Sequence, residues 1–143
     1  MKKAIFIYLG ILLSLICNVS IADEDSDLIA HVIRQQWQTP DAKLEIAPIV
    51  VEGNHAIAGW AHGARGGRAL LRRSANGWQV YMCGGDDLTK VHVLEQSGIE
   101  SVAAKSLADK LITAEQGMGV DARKQLSIFE GVVPVETNHH HAH

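Results

Sequence analysis

The residues with the most potential for chemistry in this 143-residue chain are histidines crowded at its C-terminal end. They are His139, His140, His141 and His143. Neutral imidazoles are good ligands for Cu(II), Zn(II) and Ni(II) near neutral pH. Because neighbouring histidines on a flexible chain can wrap one ion, we predict that residues 138–143 form a metal-binding tail. A cloning tag and a plain solvated end are the alternatives, although Ala142 interrupts the run that a usual tag would have.

Cys83 is the second candidate, in the segment "YMCGGDD", where a predicted strand runs into two glycines and then a helix. A soft thiolate is a suitable ligand for Cu(I). A helix N-terminus can also activate a thiol as a nucleophile, but the charges of Asp86 and Asp87 oppose that effect here. A buried structural cysteine is the third interpretation.

His55 is the histidine predicted to act together with Cys83, because it opens a strand directly after a turn. A strand histidine that is merely exposed or hydrogen-bonded is the alternative. His62 lies seven residues further on, so strict alternation places it on the opposite face from His55. His31 and His92 flank apolar helical stripes and are predicted to be exposed.

The glycine-rich segment "GWAHGARGGRALLRR" has two interpretations. Its backbone amides, with Arg65 and Arg68, could cradle a phosphate or carboxylate. A wide, flexible hairpin loop is the simpler interpretation. No Gly-Lys-Ser/Thr follows, so the segment is not a P-loop. Of the next two arginines, Arg72 and Arg73, one is expected to be solvated and the other partly buried.

The first residues predict export. Lys2 and Lys3 precede an apolar run over 4–17, and small residues stand at Ser20 and Ala22, as signal peptidase requires. We therefore predict a signal peptide over residues 1–22, cleavage after Ala22, and a periplasmic protein. Cleavage removes two lysines and no acid, which changes the formal net charge from −3 to −5 and argues against a nucleic-acid partner. It also removes one of the two cysteines, so no disulfide can form within the mature chain.

The spacing of Leu28 and Val32, with Ile29, Ile33 and Trp37, predicts a helix with one apolar stripe, which is capped by Ser26 and closed by Pro40. Turn residues at Gly53–Asn54 and at Asn76–Gly77 then predict two β-hairpins. In the second hairpin, Met82 and Cys83 point to opposite faces.

The predicted pairing in that hairpin puts Cys83 on the face that carries Arg68 and Arg72. Met82 then joins the apolar side with Leu71.

The C-terminal part is predicted to be helical over "DDLTKVHVLEQSG", "ESVAAKSLADKLITAEQG" and "DARKQLSIFEG", followed by an edge strand in "VVPVE". The buried face of the longest helix contains Ala104, Leu107, Ala108 and Leu111. The fold class is therefore α+β, a single domain over residues 23–137. Its antiparallel sheet has about four strands from two hairpins, with an N-terminal helix, two or three C-terminal helices, and helices covering one face.

The segment "VVEGNHAIAGWAHGARGGRALLRRSANGWQVYMCGGDDL", with the later "SIFEGVV", resembles small secreted bacterial proteins called copper uptake system-associated proteins. The resemblance covers most of residues 44–133. The matching positions include His55, Trp60, Arg68 and Cys83. The resemblance implies a periplasmic role in copper handling, with copper as Cu(I) or Cu(II).

Three functions follow as hypotheses. The first is a copper-binding or delivery protein that uses the tail, Cys83 and His55. The second is an interaction domain that binds no metal and docks on a membrane copper receptor or transporter through Arg68 and Arg72. The third, an enzyme that uses Cys83, is the weakest, since no histidine is placed near the thiol by spacing and no carboxylate pair stands out.

Overall fold

The structure is a computed structural model that describes residues 21–136. Its helices are α1 (Ile21–Trp37), α2 (Val91–Gln96), α3 (Ser101–Gln116) and α4 (Val120–Leu126), with a short 3-10 helix at Asp86–Thr89. Its strands are β1 (Leu44–Glu52), β2 (His55–His62), β3 (Arg65–Ser74), β4 (Gly77–Gly84) and β5 (Val132–Pro134). The predicted tail and nearly all of the predicted signal peptide lie outside the described residues.

The five strands form one antiparallel sheet in the order β1-β2-β3-β4-β5. Neighbours in sequence are neighbours in space, so two-residue turns suffice to join the first four strands. The α+β class, the two predicted hairpins and the edge strand at the C-terminal end are confirmed. The second hairpin turns at Ala75–Asn76, one residue before the predicted pair, and Gly77 opens β4 with a φ of 97°. The first hairpin turns at Gly53–Asn54 as predicted, with Gly53 at a φ of 56°.

Helices cover both faces of the sheet, so the prediction that they cover one face is wrong. Ile29 and Ile33 of α1 pack against Leu71 and Val80 on one face. On the other face, α2 and α3 pack on a cluster that includes Leu70. The buried residues of α3 include Ala104, Leu107, Ala108 and Leu111, as predicted. Both faces of β2 and β3 are apolar because each strand lies between two helical layers.

Two predicted helix ends differ from the structure. Ser26 lies inside α1, where its hydroxyl donates to the carbonyl of Ala22, so it is not the cap. The last helix was predicted to end at Gly131, but α4 ends at Leu126. The chain after α4 crosses the end of the sheet, where the Phe129 amide donates to the Gly66 carbonyl. Within residues 21–136, no helix is long and apolar enough to cross a membrane.

A bulge in β4 determines which face Cys83 occupies. Leu71 pairs with Val80, but Leu70 pairs with Met82, so Tyr81 is an extra residue on β4. An extra residue inverts the alternation beyond it. Cys83 consequently packs on the α1 face beside Val80, and the prediction that it shares a face with Arg68 and Arg72 is wrong.

Candidate functional site

A cavity with a volume of about 290 Å3 lies between α1 and the sheet. Its apolar walls come from Ile33, Trp37, Leu44, Trp60 and Phe129. Trp60 and Phe129 meet edge to face, with ring centroids 6.2 Å apart. The polar groups in the wall belong to His62, Arg65 and Cys83. The volume is just below the ~300–1,000 Å3 that is common for ligand pockets.

Local sequence explains how the aromatic walls approach the sheet. Gly67 faces the cavity, and a Cβ there would meet both Phe129 Cβ at 2.9 Å and Trp60 Cζ2 at 3.0 Å. Only glycine leaves room for both side chains. On the opposite face of β3, Gly66 lies against the backbone of Gln125. The glycine-rich segment is therefore strand β3 with a tight turn at Gly63–Ala64, and the predicted wide, flexible loop is wrong.

Apart from Cys83, the polar groups of the cavity lie at the end where this turn joins β2 to β3. His62 pairs directly with Arg65 across the two strands, and Trp60 pairs with Gly67 one step along. His62 Nε2 lies 3.2 Å from Thr39 Oγ1, which orients its ring. The Arg65 side chain is exposed at this end. The Trp60 indole N–H is buried and has no hydrogen-bond partner in the described residues.

Cys83 lies at the other end of the cavity. The strand register separates it from His62 by four residues along β3 and by two strand spacings, since Ala69 pairs with Cys83 and Arg65 with His62. Those steps amount to ~13 Å along the sheet and ~10 Å across it. The two side chains are too far apart to share a metal ion, because Zn and Cu ligands lie only ~2.0–2.3 Å from the metal.

Burial raises the pKa of the Cys83 thiol to about 11. The thiol is therefore protonated near neutral pH, which argues against its use as an activated nucleophile. The cysteine is half-buried and has no disulfide partner among residues 21–136. Any metal that binds this sulfur must displace its proton.

The structure does not bring His55 and Cys83 together. His55 pairs with Arg72 and precedes Ile57 on the face covered by α3, whereas Cys83 packs on the α1 face. Burial and then the charge of Arg72 lower the pKa of His55. His31 and His92 are exposed, as predicted. Within residues 21–136, no group of three or more histidine, cysteine or carboxylate side chains is arranged to hold a metal ion.

The C-terminal strand does come next to Cys83. Val133 of β5 pairs with Cys83, and the Val135 amide donates to the Tyr81 carbonyl at 3.0 Å. The predicted histidine tail begins two residues after the last described residue, Glu136. Its four histidines lie outside the described residues.

Arg68 is a structural residue in this fold. Its side chain is only 3% exposed and donates two hydrogen bonds to Glu115, Nε to Oε1 at 2.6 Å and Nη2 to Oε2 at 2.8 Å. Nη1 contacts Asp86 Oδ1 at 3.2 Å and the Leu126 carbonyl at 3.3 Å. Burial alone would lower the pKa of Arg68, but the bonds to Glu115 and Asp86 raise it. The anion cradle predicted from Arg68 does not form, since the guanidinium is already occupied.

A second buried acid fixes α1 on the sheet. Asp25 Oδ1 accepts from Arg73 Nη1 at 2.8 Å and from the Trp78 indole N–H at 3.1 Å. Arg73 is half-buried and Arg72 is exposed, as predicted for this pair.

Sequence reasoning missed the cavity as a unit. Arg65 was predicted as part of an anion cradle with Arg68, and Trp60 was named only in the family resemblance; neither was linked to Phe129. His62 was set aside because it does not share a face with His55. The available signal was that Trp60 and His62 are two residues apart and thus on one face.

Comparison of the chain with protein-family models, with curated proteins and with solved structures found no match. The resemblance to copper uptake system-associated proteins therefore stays a prediction.

Proposed function

We propose that this chain is a periplasmic copper-handling protein that captures or passes on copper with Cys83 and the histidine tail. The observation that carries the proposal is the pairing of β5 with β4 at Cys83. This pairing attaches the C-terminal chain next to Cys83, the one cysteine that would remain after the predicted cleavage at Ala22.

Chain length is sufficient for the tail to reach the thiol. His139 follows Val135 by four residues, and Val135 is held at Tyr81, two residues from Cys83. An extended chain spans at most ~3.3–3.6 Å per residue, so four residues reach ~13–14 Å. Tyr81 and Cys83 lie ~7 Å apart along β4. Imidazoles from the tail and the Cys83 sulfur can therefore approach one ion.

The two donor types suit the two oxidation states of copper. A thiolate favours Cu(I), and imidazoles accept Cu(II) as well. Because the pKa of Cys83 is raised to about 11, binding of Cu(I) at this sulfur releases a proton and strengthens with rising pH. The tail, which needs only neutral imidazoles, supplies affinity at lower pH.

The docking hypothesis loses one of its two contacts in this structure. Arg68 is buried and paired with Glu115, so it cannot touch a partner, and only Arg72 of the proposed pair is exposed. A membrane receptor or transporter remains a proposed recipient of copper, with no surface assigned to it.

The test is a titration of the protein from Asp23 with Cu(I), against a chromophoric chelator, and with Cu(II). Three variants are compared with it: a chain that ends at Asn138, Cys83→Ser, and the two changes combined. A fourth chain moves the sequence HHHAH from the C-terminus to a position before Asp23, which keeps the histidine content but removes it from β5.

We expect Cys83→Ser to abolish the tight Cu(I) site and truncation to abolish Cu(II) binding. If tail and thiol share an ion, the chain with the relocated tail loses Cu(I) affinity as well. If the intact protein binds neither ion better than an unrelated protein of equal histidine content, the proposal fails.

A further inference from the structure

We propose that the cavity between α1 and the sheet binds a small monocarboxylate with an apolar or aromatic body. The carboxylate lies at the end formed by Trp60, His62 and Arg65, and the body extends towards Cys83. This inference stands independently of copper binding, because Cys83 and the tail contribute nothing to the anion-binding end.

The size of the cavity indicates an organic ligand. Its volume of about 290 Å3 is roughly ten times the ~30 Å3 that a water molecule occupies in the liquid. A bare metal ion would leave most of this space unfilled. The walls are mostly aromatic and aliphatic, which is typical of pockets that bury the body of a small molecule.

The charge of the cavity indicates an anion. No carboxylate side chain is among the residues that line it, and its polar groups include a guanidinium, an imidazole and an indole N–H. The Arg65 guanidinium forms no ion pair with the described residues, whereas Arg68 and Arg73 each have a carboxylate partner. A guanidinium in such a position is suited to hydrogen-bond a carboxylate.

The Trp60 indole supplies a second, independent indication. Its N–H is buried with no acceptor in residues 21–136. Such a buried donor costs free energy unless a ligand or a water molecule accepts its hydrogen bond. The Trp78 indole in the same sheet shows the ordinary arrangement, with its N–H donated to Asp25. Trp60 and Arg65 occupy diagonal positions on neighbouring strands, ~7–8 Å apart, close enough for one carboxylate to contact both.

The test uses 15N-labelled protein from Asp23, free of copper, titrated with 3-phenylpropanoate and, as the uncharged match, with 3-phenylpropanamide. Binding of the acid should move the Trp60 indole N–H resonance downfield and leave the Trp78 resonance in place. Trp60→Phe keeps an aromatic side chain and removes the indole N–H, which assigns the signal.

Arg65→Gln should weaken binding of the acid by about tenfold or more, as expected for the loss of a hydrogen bond to a charged group. Arg72→Gln, on the opposite face, should not weaken it. The inference is overturned if the acid does not bind at millimolar concentration, if acid and amide bind equally, or if the Trp60 resonance does not move. Loss of Cu(II) binding in the chain that ends at Asn138, with unchanged binding of the acid, would separate this site from the copper proposal.

Discussion

Glu115→Gln tests whether the buried ion pair with Arg68 is the main polar stabilisation between β3 and α3. The substitution keeps the shape of the side chain and removes its charge. Arg68 and Glu115 are 2% and 5% exposed, so the guanidinium would remain buried without its principal counterion. Asp86 still contacts it at 3.2 Å, but the Asp86 side chain is 66% exposed and screened by water.

The expected loss can be estimated from these contacts. Removing one charged partner of a buried ion pair commonly lowers the free energy of unfolding by ~3–5 kcal/mol. Because Asp86 still contacts the guanidinium, we expect a loss near the low end, ~3 kcal/mol. A domain of this size has a free energy of unfolding of ~6–17 kcal/mol, so the loss is a large fraction. It corresponds to a Tm lower by about 12 °C.

Urea unfolding followed by circular dichroism measures the change, and Asp86→Asn is the matched control. Because Asp86 is exposed, its substitution should cost less than ~1 kcal/mol. The combined change Arg68→Met and Glu115→Leu should be less destabilising than Glu115→Gln alone, since no charge stays buried. A loss below ~1 kcal/mol for Glu115→Gln, or equal effects of Glu115→Gln and Asp86→Asn, would refute the reasoning.

Three further outcomes are expected. His55→Gln should leave the Cu(I) affinity of the protein unchanged in a chelator competition, because His55 faces α3 and Cys83 faces α1. A loss of Cu(I) affinity of about tenfold or more would contradict that placement. Alkylation of Cys83 by iodoacetamide, followed by mass spectrometry, should be slow at pH 8 and rise towards pH 11, because burial keeps the thiol protonated; a midpoint near the ordinary ~8.5 would show that the thiol is solvated. Gly85→Ala should lower the free energy of unfolding in urea by about 1–3 kcal/mol, because the new Cβ would overlap the Phe129 carbonyl after α4. Gly117→Ala is the control, since a Cβ there meets only ordinary contacts. Equal effects of the two substitutions would argue against the close approach of Gly85 to Phe129.

Local sequence was sufficient for most of the elements. Asn54 and Asn76 lie in two-residue turns, each next to a glycine, and these turns separate runs of alternating or continuous apolar residues; both signals are local. The apolar face of α3 was readable from its 3.6-residue period alone. The helix ends were less predictable, because Ser26 and Gly131 have the composition of caps without the geometry.

The residues that line the cavity could not be predicted from the sequence, because the cavity depends on contacts between residues distant in the chain. Phe129 reaches Trp60 only because Gly67 lets the chain after α4 pass close to β3. Glu115, near the end of α3, has no sequence feature that marks it as the partner of Arg68, 47 residues earlier.

The sequence by itself determined the α+β class, the hairpins, the edge strand and the types of donor available for metal or anion binding. Tertiary structure alone decided which donors meet. The extra residue at Tyr81 inverts the alternation of β4 and moves Cys83 from the face of Arg68 to the face of α1. Because side chains alternate with a period of two, one inserted residue exchanges the two faces of a strand beyond the bulge. The local composition around Tyr81 does not predict this bulge.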